Sequence, residues 1–166
     1  MDYKEYLVKR KKGAKEILLS AIIYLAALAL SFASLIFLNA MGMELLISVA
    51  FLYGGYKLAS FFNREFEYTV TEDCVDVDVI YNASNRKKLI SFTMKDVEII
   101  APVKSEKYHA YSGGDYKEID ASTHRKDTSV YFAAVEKNGK YLVKFELPVT
   151  ALQHLRKYAP SKVVIE

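Results

Sequence analysis

Cysteine and histidine are scarce in this sequence, and this limits the chemistry open to it. Cys74 is the single cysteine, so no internal disulfide can form, and the three histidines show no metal-ligand spacing. A phosphate-binding loop and a dinucleotide-binding fingerprint are missing too, because Gly113-Gly114 is not followed by Lys-Ser or Lys-Thr. No serine has the flanking residues of a nucleophile elbow. We therefore predict a protein that is not an enzyme and that holds no metal and no cofactor.

Charge is missing from two long stretches near the N-terminus. Residues 17–38 contain no charged residue, and residues 45–62 contain only Lys57. As helices rising about 1.5 Å per residue, they would span roughly 33 and 27 Å, close to a hydrocarbon core of about 30 Å. We predict that residues 17–62 form a transmembrane hairpin with a short link over residues 39–44. The first stretch is longer than the apolar core of a secretory signal, about 7–15 residues, so we expect it to be retained.

Small residues spaced four positions apart would allow these two helices to pack closely. Such spacing matters because hydrophobicity does not drive helix association inside lipid. The pairs are Ala27/Ser31, Ala29/Ala33, Ala50/Gly54 and Gly55/Ala59. We expect them to seal the hairpin, with a homodimer contact as the alternative.

Basic residues predict the orientation of the hairpin. Six lysines and arginines precede residue 17, whereas the link has none. The positive-inside rule therefore places both the basic segment 1–16 and the chain after residue 63 in the cytoplasm. We predict a multi-pass protein of the cytoplasmic membrane. Residues 64–166 contain sixteen basic and sixteen acidic residues, which argues against nucleic acid because its binding needs a basic face.

Residues 64–166 have the pattern of a β-rich domain. Apolar and polar residues alternate over residues 64–71 and 75–81, with Glu72-Asp73 between them, which is typical of a hairpin with one apolar face. Residues 89–94 and 97–103 predict two more strands. Asn138-Gly139 separates two further apolar runs and supplies the two positive-φ positions of a type I′ hairpin turn.

The end of the chain predicts one amphipathic helix. Pro148 suits the first turn of a helix over residues 149–159, in which Leu152, Leu155 and Tyr158 share one face. Pro160 ends this helix. The apolar tail of residues 163–165 is expected to pair with a sheet edge.

Three segments carry a family resemblance: Glu67-Tyr68-Thr69-Val70-Thr71, residues 97–102, and residues 131–148 around Asn138-Gly139. In them the chain resembles small bacterial membrane proteins in which two transmembrane helices precede a pleckstrin-homology-type (PH-like) domain. The resemblance implies a membrane-anchored α+β protein with a mostly antiparallel PH-like barrel or sandwich over residues 64–166, capped by one C-terminal helix. It implies an interaction role and brings no catalytic residues.

A long polar segment over residues 104–127 is a first candidate site. It carries Tyr108, His109, Tyr111 and Tyr116 beside Gly113-Gly114, and a short strand over residues 116–121 is conceivable within it. Loops of this length in a compact domain are usually functional or disordered, and tyrosine gives large contact area at low entropy cost. We interpret it as a surface for a protein partner, with a mobile loop that has no partner as the alternative.

A second candidate site is the basic run Arg86, Lys87 and Lys88, expected in a turn after residues 82–85. Close to a membrane these residues could contact anionic lipid headgroups, each contributing about 1 kcal/mol. The alternative is a soluble hairpin tip whose charge prevents edge pairing.

A third candidate is the acidic face formed by Asp76 and Asp78 with Glu65 and Glu67. Paired carboxylates can bind a cation or perform acid–base chemistry. Their alternation with valines favours a solvated outer face instead.

The sequence thus predicts a non-enzymatic interaction module that presents a PH-like domain at the cytoplasmic membrane face. Its expected partners are the lipid bilayer and either a membrane or cytoplasmic protein or a second copy of the chain. Recognition of anionic lipid is the alternative, and an enzyme acting on a lipid-derived substrate is less favoured.

Overall fold

The computed structural model describes residues 3–37, 42–125 and 128–165. Within these residues the elements follow one another as β1 (Tyr3–Lys9), α1 (Ala14–Phe37), α2 (Glu44–Ser60), β2 (Arg64–Thr71), β3 (Cys74–Tyr81), β4 (Asn85–Thr93), β5 (Val97–Pro102), α3 (Glu106–Ser112), β6 (Lys117–Asp120), β7 (Tyr131–Glu136), β8 (Lys140–Phe145) and α4 (Val149–Tyr158).

The chain divides into two compact units. The helical unit comprises Lys12–Arg64 with Tyr81–Ser84. The β domain comprises Met1–Lys11, Glu65–Ile80 and Asn85–Glu166. The β domain is therefore discontinuous in sequence, since its first strand precedes the helical unit.

In the helical unit, α1 and α2 pack against each other along a seam of small residues. The buried positions are Ser20, Ala27, Ser31 and Ser34 on α1 and Ser48, Gly55 and Ala59 on α2. The hydroxyls of Ser31 and Ser48 lie 2.5 Å apart across the seam. Because Ala27 approaches Gly55 while Ser31 meets Ser48, the two helices run antiparallel.

Two of the four small-residue pairs predicted from sequence lie in this seam. Ala27/Ser31 and Gly55/Ala59 are buried between the helices. Ala29 and Ala50 are exposed instead, so their pairs do not seal the hairpin.

Only α1 is long and apolar enough by itself to cross a membrane, among the helices of the described residues. The prediction of two transmembrane helices is therefore not supported by helix length and composition. The second helix, α2, has 17 residues and ends at Ser60, where Phe61 and Phe62 leave the helix. Of the predicted link, residues 39–41 lie outside the described part of the chain.

The β domain contains two four-stranded sheets. Sheet 1 has the order β1-β2-β3-β4, and sheet 2 has the order β5-β7-β8-β6. The pairs β1–β2, β5–β7 and β7–β8 are antiparallel, whereas β6 runs parallel to β8. The predicted α+β fold with mostly antiparallel sheets and a C-terminal helix is thus confirmed.

Strand β1 differs from the prediction that residues 1–16 form only a basic segment. It pairs with β2 along its whole length, from Tyr3 opposite Thr71 to Lys9 opposite Glu65. Tyr6 and Val8 face the same side of sheet 1 as the buried Tyr68 and Phe66 opposite them. The half-buried side chains of Tyr6 and Val8 explain why this basic segment forms a strand.

The core lies where the two sheets pack together. The rings of Tyr68 in sheet 1 and Phe145 in sheet 2 meet edge to face with centroids 6.4 Å apart. The Tyr68 hydroxyl donates a hydrogen bond of 2.6 Å to the Ala121 carbonyl. Because this ring is buried, the pKa of its hydroxyl is raised well above the usual value.

Helix α4 adds Leu152 and Leu155 to this core, as predicted, whereas Tyr158 is exposed. Its N-cap is Pro148, whose missing N–H costs nothing there. The tail then pairs in parallel with the free edge of β5, where Val163 opposes Ile100. The predicted pairing of the apolar tail with a sheet edge is confirmed.

The segment 104–127 is not a plain loop. It forms α3 and β6 within its described residues, and the predicted short strand over residues 116–121 is present as β6. The turn at Asn138-Gly139 has positive φ at both residues, 53° and 138°, as predicted. The last pair of the hairpin is Glu136 with Lys140, so the loop has three residues instead of the expected two.

Candidate functional site

A groove of about 490 Å³ lies between the last strand of sheet 1 and the last strand of sheet 2. These are β4 and β6, and both belong to the β domain. We call the space between them the β4–β6 groove. Its apolar lining is half-buried and consists of Leu89, Ile90, Ile119 and Tyr141.

Four lysines also line this groove: Lys87, Lys88, Lys117 and Lys137. Lys88 and Lys137 each have an acidic partner, Asp76 at 3.1 Å and Asp96 at 3.9 Å. Lys87 and Lys117 are exposed and form no ion pair with any residue that the structure describes. The groove therefore combines an apolar lining with two positive charges that the domain itself does not neutralise.

The predicted lipid-contact residues Arg86, Lys87 and Lys88 lie in β4 and not in a turn. The turn that precedes them is shorter than expected, because Asn85 already belongs to the strand. Arg86 donates a hydrogen bond of 2.5 Å to Glu67, and Lys88 donates one of 3.1 Å to Asp76. The hydrogen bond to Asp76 raises the pKa of Lys88. Of the three, Lys87 alone is left without an acidic partner in the described chain.

The predicted partner residues Tyr108, Tyr111 and Tyr116 pack largely against their own domain. Tyr108 and Tyr111 on α3 contact the buried Phe132 ring, with centroids 5.4 and 5.9 Å away. The ring of Tyr116 lies 5.8 Å from that of Tyr111. Helix α3 thus covers the second face of sheet 2, and this explains why Leu142, which lies on that face, is buried.

Polar contacts hold the outer rims of these rings. The Tyr116 hydroxyl donates to Glu98 at 3.0 Å, and burial together with this carboxylate raises its pKa to about 12. Lys144 lies 5.2 Å from the centre of the Tyr108 ring. Burial lowers the pKa of Lys144, but hydrogen bonds to Glu118 and Tyr108 outweigh it and raise the pKa overall.

His109 is the exposed member of the predicted set and lies beside Tyr108 at 6.0 Å between ring centres. The structure therefore brings the four predicted residues together, but as the internal packing of a short helix more than as an open surface.

The acidic face is not solvated throughout, contrary to the sequence prediction. Asp76 is paired with Lys88 at the surface. Glu67 and Asp78, however, are only 5% and 8% exposed. Glu67 Oε1 and Asp78 Oδ1 are buried without a hydrogen-bond partner. A cation held here would need more ligands, and no three His, Cys, Asp or Glu side chains come together for a metal within residues 3–37, 42–125 and 128–165.

A second cavity lies beside the free edge of β1. Its volume is about 580 Å³, and it is lined by β1 residues and by the start of α4, among them Tyr6, Leu7, Leu147 and Val149. The acidic residue Glu146 in this lining is already bound, since its Oε1 accepts hydrogen bonds of 2.7 and 2.8 Å from Thr123. This cavity offers apolar contact and lacks the basic lining of the β4–β6 groove.

Two of the four groove lysines could be found from the sequence, since Lys87 and Lys88 stand in the basic run after residue 85. Lys117 could not, because only the parallel pairing of β6 with β8 brings β6 into place. Lys137 could not either, because it lies in the turn between β7 and β8 and reaches β4 only in the folded domain, where its Nζ donates to the Ser91 carbonyl at 3.0 Å. The described lining of the groove combines lysines with apolar side chains and includes no acidic residue or histidine.

Comparison with known proteins adds the family. No curated protein sequence matches this chain. A family model described as a bacterial PH-like domain (DUF6106) matches residues 2–165, which includes β1, both helices of the helical unit and the whole β domain. The chain belongs to this bacterial PH-like domain family, DUF6106.

Proposed function

We propose that this protein is a membrane-anchored, non-enzymatic interaction module whose PH-like domain binds a partner protein at the cytoplasmic face. The helical unit is the anchor, and the β4–β6 groove is the binding site. The observation that carries partner binding is the pair of unneutralised lysines, Lys87 and Lys117, beside an apolar lining.

The pairing of β1 with β2 supports two membrane crossings. One strand lies before α1 and the other after α2, and they are neighbours in one sheet. A chain that crosses a membrane in α1 must therefore return before β2. Helix α2 would span about 25 Å, and Phe61 and Phe62 extend its apolar run toward the thickness of a thin bilayer.

The distribution of charge supports the cytoplasmic orientation. Lysines and arginines are concentrated before α1 and absent from residues 39–44. By the positive-inside rule the N-terminal side of α1 is cytoplasmic. The β domain follows, because its first strand lies on that side.

Cysteine labelling tests the anchor. In a Cys74→Ser background, we expect Met43→Cys to react with a membrane-impermeant maleimide in intact cells. Lys12→Cys should react only after the membrane is opened. Equal labelling of both positions before and after permeabilisation would contradict the two-crossing anchor.

Copurification tests the partner. The full-length protein is extracted from its native membrane in mild detergent, and the proteins that accompany it are identified by mass spectrometry. The groove variant Lys87→Glu/Lys117→Glu is compared with Lys104→Glu/Lys107→Glu, which makes the same charge change at exposed positions outside the groove lining. A protein lost from the groove variant and kept by the control supports the proposal. The same proteins with both variants would refute the groove as the site.

Recognition of anionic lipid is the second candidate. It is weakened by the ion pairs that Arg86 and Lys88 already make with Glu67 and Asp76. What favours it is Lys87 together with the basic run before α1. In the same copurification, loss of bound anionic phospholipid with no loss of protein from the groove variant would favour lipid over a protein partner.

A further inference from the structure

The two walls of the β4–β6 groove are strand edges. Each strand is terminal in its sheet, β4 beside β3 and β6 beside β8. No backbone hydrogen bond joins β4 to β6 in the described residues. The outer edges of Asn85–Thr93 and Lys117–Asp120 therefore have no neighbouring strand along the groove. On β4 the Ser91 carbonyl already accepts from Lys137 Nζ at 3.0 Å and the Thr93 N–H donates to Asp96 at 2.9 Å, so the edge left for a partner lies over residues 85–90.

Other free edges of the β domain are less suited to receive a strand. The outer edge of β5 is taken by the chain's own tail, through the bridge between Ile100 and Val163. The outer edge of β1 adjoins a cavity whose lining includes Glu5 and Glu146 and no lysine or arginine. The β4–β6 groove is the place where free edges, apolar lining and basic charge coincide.

The charge in the groove identifies the ligand's chemistry. Lys87 and Lys117 stand on opposite walls, and neither has an ion-pair partner among the described residues. Their ammonium groups can pair with acidic side chains of a ligand. The half-buried Leu89, Ile90 and Ile119 can pack against apolar side chains of the same ligand.

We propose that the β4–β6 groove binds an extended acidic segment of a partner protein as an added β-strand. Residues two apart on a strand share a face, as Lys87 and Leu89 do on β4 and Lys117 and Ile119 do on β6. The segment therefore carries an acidic and an apolar residue two positions apart. The shorter wall, β6, has four residues, which at about 3.3 Å per residue matches a segment of roughly four to six residues. This inference rests on the proposed partner binding and adds the form in which the partner is bound.

A compact phosphate headgroup would use this groove poorly. It needs convergent basic groups, whereas the two unpaired lysines belong to separate strands on opposite walls. It would also leave the strand edges and the apolar lining unused.

The test uses the full-length protein in mild detergent and a fluorescent eight-residue peptide, the Glu-Val peptide, in which Glu and Val take turns at every second position with Thr between them. We measure its affinity by fluorescence anisotropy. The matched probes are a Lys-Val peptide of the same pattern and a Glu-Val peptide methylated on every second backbone nitrogen. Vesicles containing phosphatidylglycerol report lipid binding.

We expect the Glu-Val peptide to bind, and the Lys-Val peptide not to bind. Lys87→Glu/Lys117→Glu should weaken binding by about tenfold or more, since two charged contacts are reversed, while Lys104→Glu/Lys107→Glu should change it less than about twofold. The methylated peptide should lose about tenfold or more, because it cannot donate to a strand edge.

Equal affinity for the methylated and unmethylated peptides would overturn strand addition. If the methylated peptide binds as well and the copurifying protein still depends on Lys87 and Lys117, the proposed function survives and the added strand does not. Binding to vesicles with no binding to either Glu-Val peptide would overturn both in favour of lipid.

Discussion

Replacing Gly55 by alanine tests whether close backbone contact holds the two helices together. Gly55 lies buried in the seam, and a Cβ built on it would come closer than 3.0 Å to the Cβ of Ala27. The neighbouring Gly54 has no atom within 4 Å of a Cβ built in the same way. The two glycines are therefore a matched pair, with the same helix and the same change but different surroundings.

The expected difference can be worked out from these contacts. Either substitution raises helix propensity, by about 1 kcal/mol for glycine to alanine. Carbon atoms in good contact lie about 3.5–4.0 Å apart, so at Gly55 the helices must separate by roughly 0.5–1 Å or more. Overpacking of this kind costs about 1–3 kcal/mol. Separation would also stretch the hydrogen bond between Ser31 and Ser48, of a type worth about 0.6 kcal/mol on average.

We therefore expect Gly54→Ala to stabilise the helical unit slightly and Gly55→Ala to destabilise it relative to Gly54→Ala by about 1–3 kcal/mol. The measurement is unfolding of the detergent-solubilised protein by added SDS, followed by far-ultraviolet circular dichroism.

A second substitution identifies the cause. Ala27→Gly removes the partner Cβ, so Ala27→Gly/Gly55→Ala should recover stability relative to Gly55→Ala. Equal stability of Gly54→Ala and Gly55→Ala, or no recovery in the double variant, would refute close contact between Ala27 and Gly55 as the basis of the hairpin.

Three further predictions concern the β domain. Tyr68→Phe removes the hydrogen bond to Ala121 and should lower the free energy of unfolding by about 1 kcal/mol. Burial raises the pKa of Tyr68 above its unfolded value near 10, so the folded state keeps the hydroxyl proton to higher pH than the unfolded state does. The free energy of unfolding therefore falls as pH rises above about 10. Thermal unfolding measured from pH 8 to 11 should show a smaller fall in melting temperature for Tyr68→Phe than for the unsubstituted protein. Gly139→Ala, at φ 138°, should lower the melting temperature, whereas Gly113→Ala, at φ −89°, should not, and equal melting temperatures would contradict a conformational role for Gly139. Asp78→Asn should raise the free energy of unfolding by about 1 kcal/mol, since it removes a buried charge whose Oδ1 has no partner; a urea denaturation that shows no gain would contradict this reasoning.

Local sequence patterns predicted those strands whose apolar residues are recognisable within a short stretch of sequence. Alternation identified β2 and β3, and the two apolar runs that flank Asn138-Gly139 identified β7 and β8. Helix α4 follows from its proline start and its two buried leucines. The apolar pattern of each of these elements is visible within a few consecutive residues.

Elements that depend on distant partners were missed. The apolar residues on the inner face of β1 are Tyr6 and Val8. They indicate a strand only once they are paired with Tyr68 and Phe66, which lie far along the chain. Helix α3 is a short helix whose tyrosines gain their packing from Phe132. Tertiary packing, not local propensity, forms such elements.

Two of the four lysines of the candidate site could be predicted from the sequence, for the same reason. Lys87 and Lys88 form a basic run that any scan of charge finds, but their assignment to a turn hid the fact that they line a strand edge. Lys117 joins them only through the order of sheet 2, in which β6 follows β8, and Lys137 joins them from the turn between β7 and β8. A parallel neighbour in an otherwise antiparallel sheet leaves no short-range trace in the sequence.

The pairing of β1 with β2 has a consequence for biosynthesis. The ribosome makes β1 first, but its partner emerges only after residues 10–63 have been added, which takes several seconds at about 5–20 residues per second. During that interval Tyr6 and Val8 have no partner strand and remain exposed. If α1 is inserted and α2 is left behind or reversed, β1 and β2 are stranded in different compartments and sheet 1 lacks its first strand. With the proposed two-crossing anchor, completion of the β domain would therefore require correct insertion of both helices, and a protease that removes open sheets would remove misinserted chains.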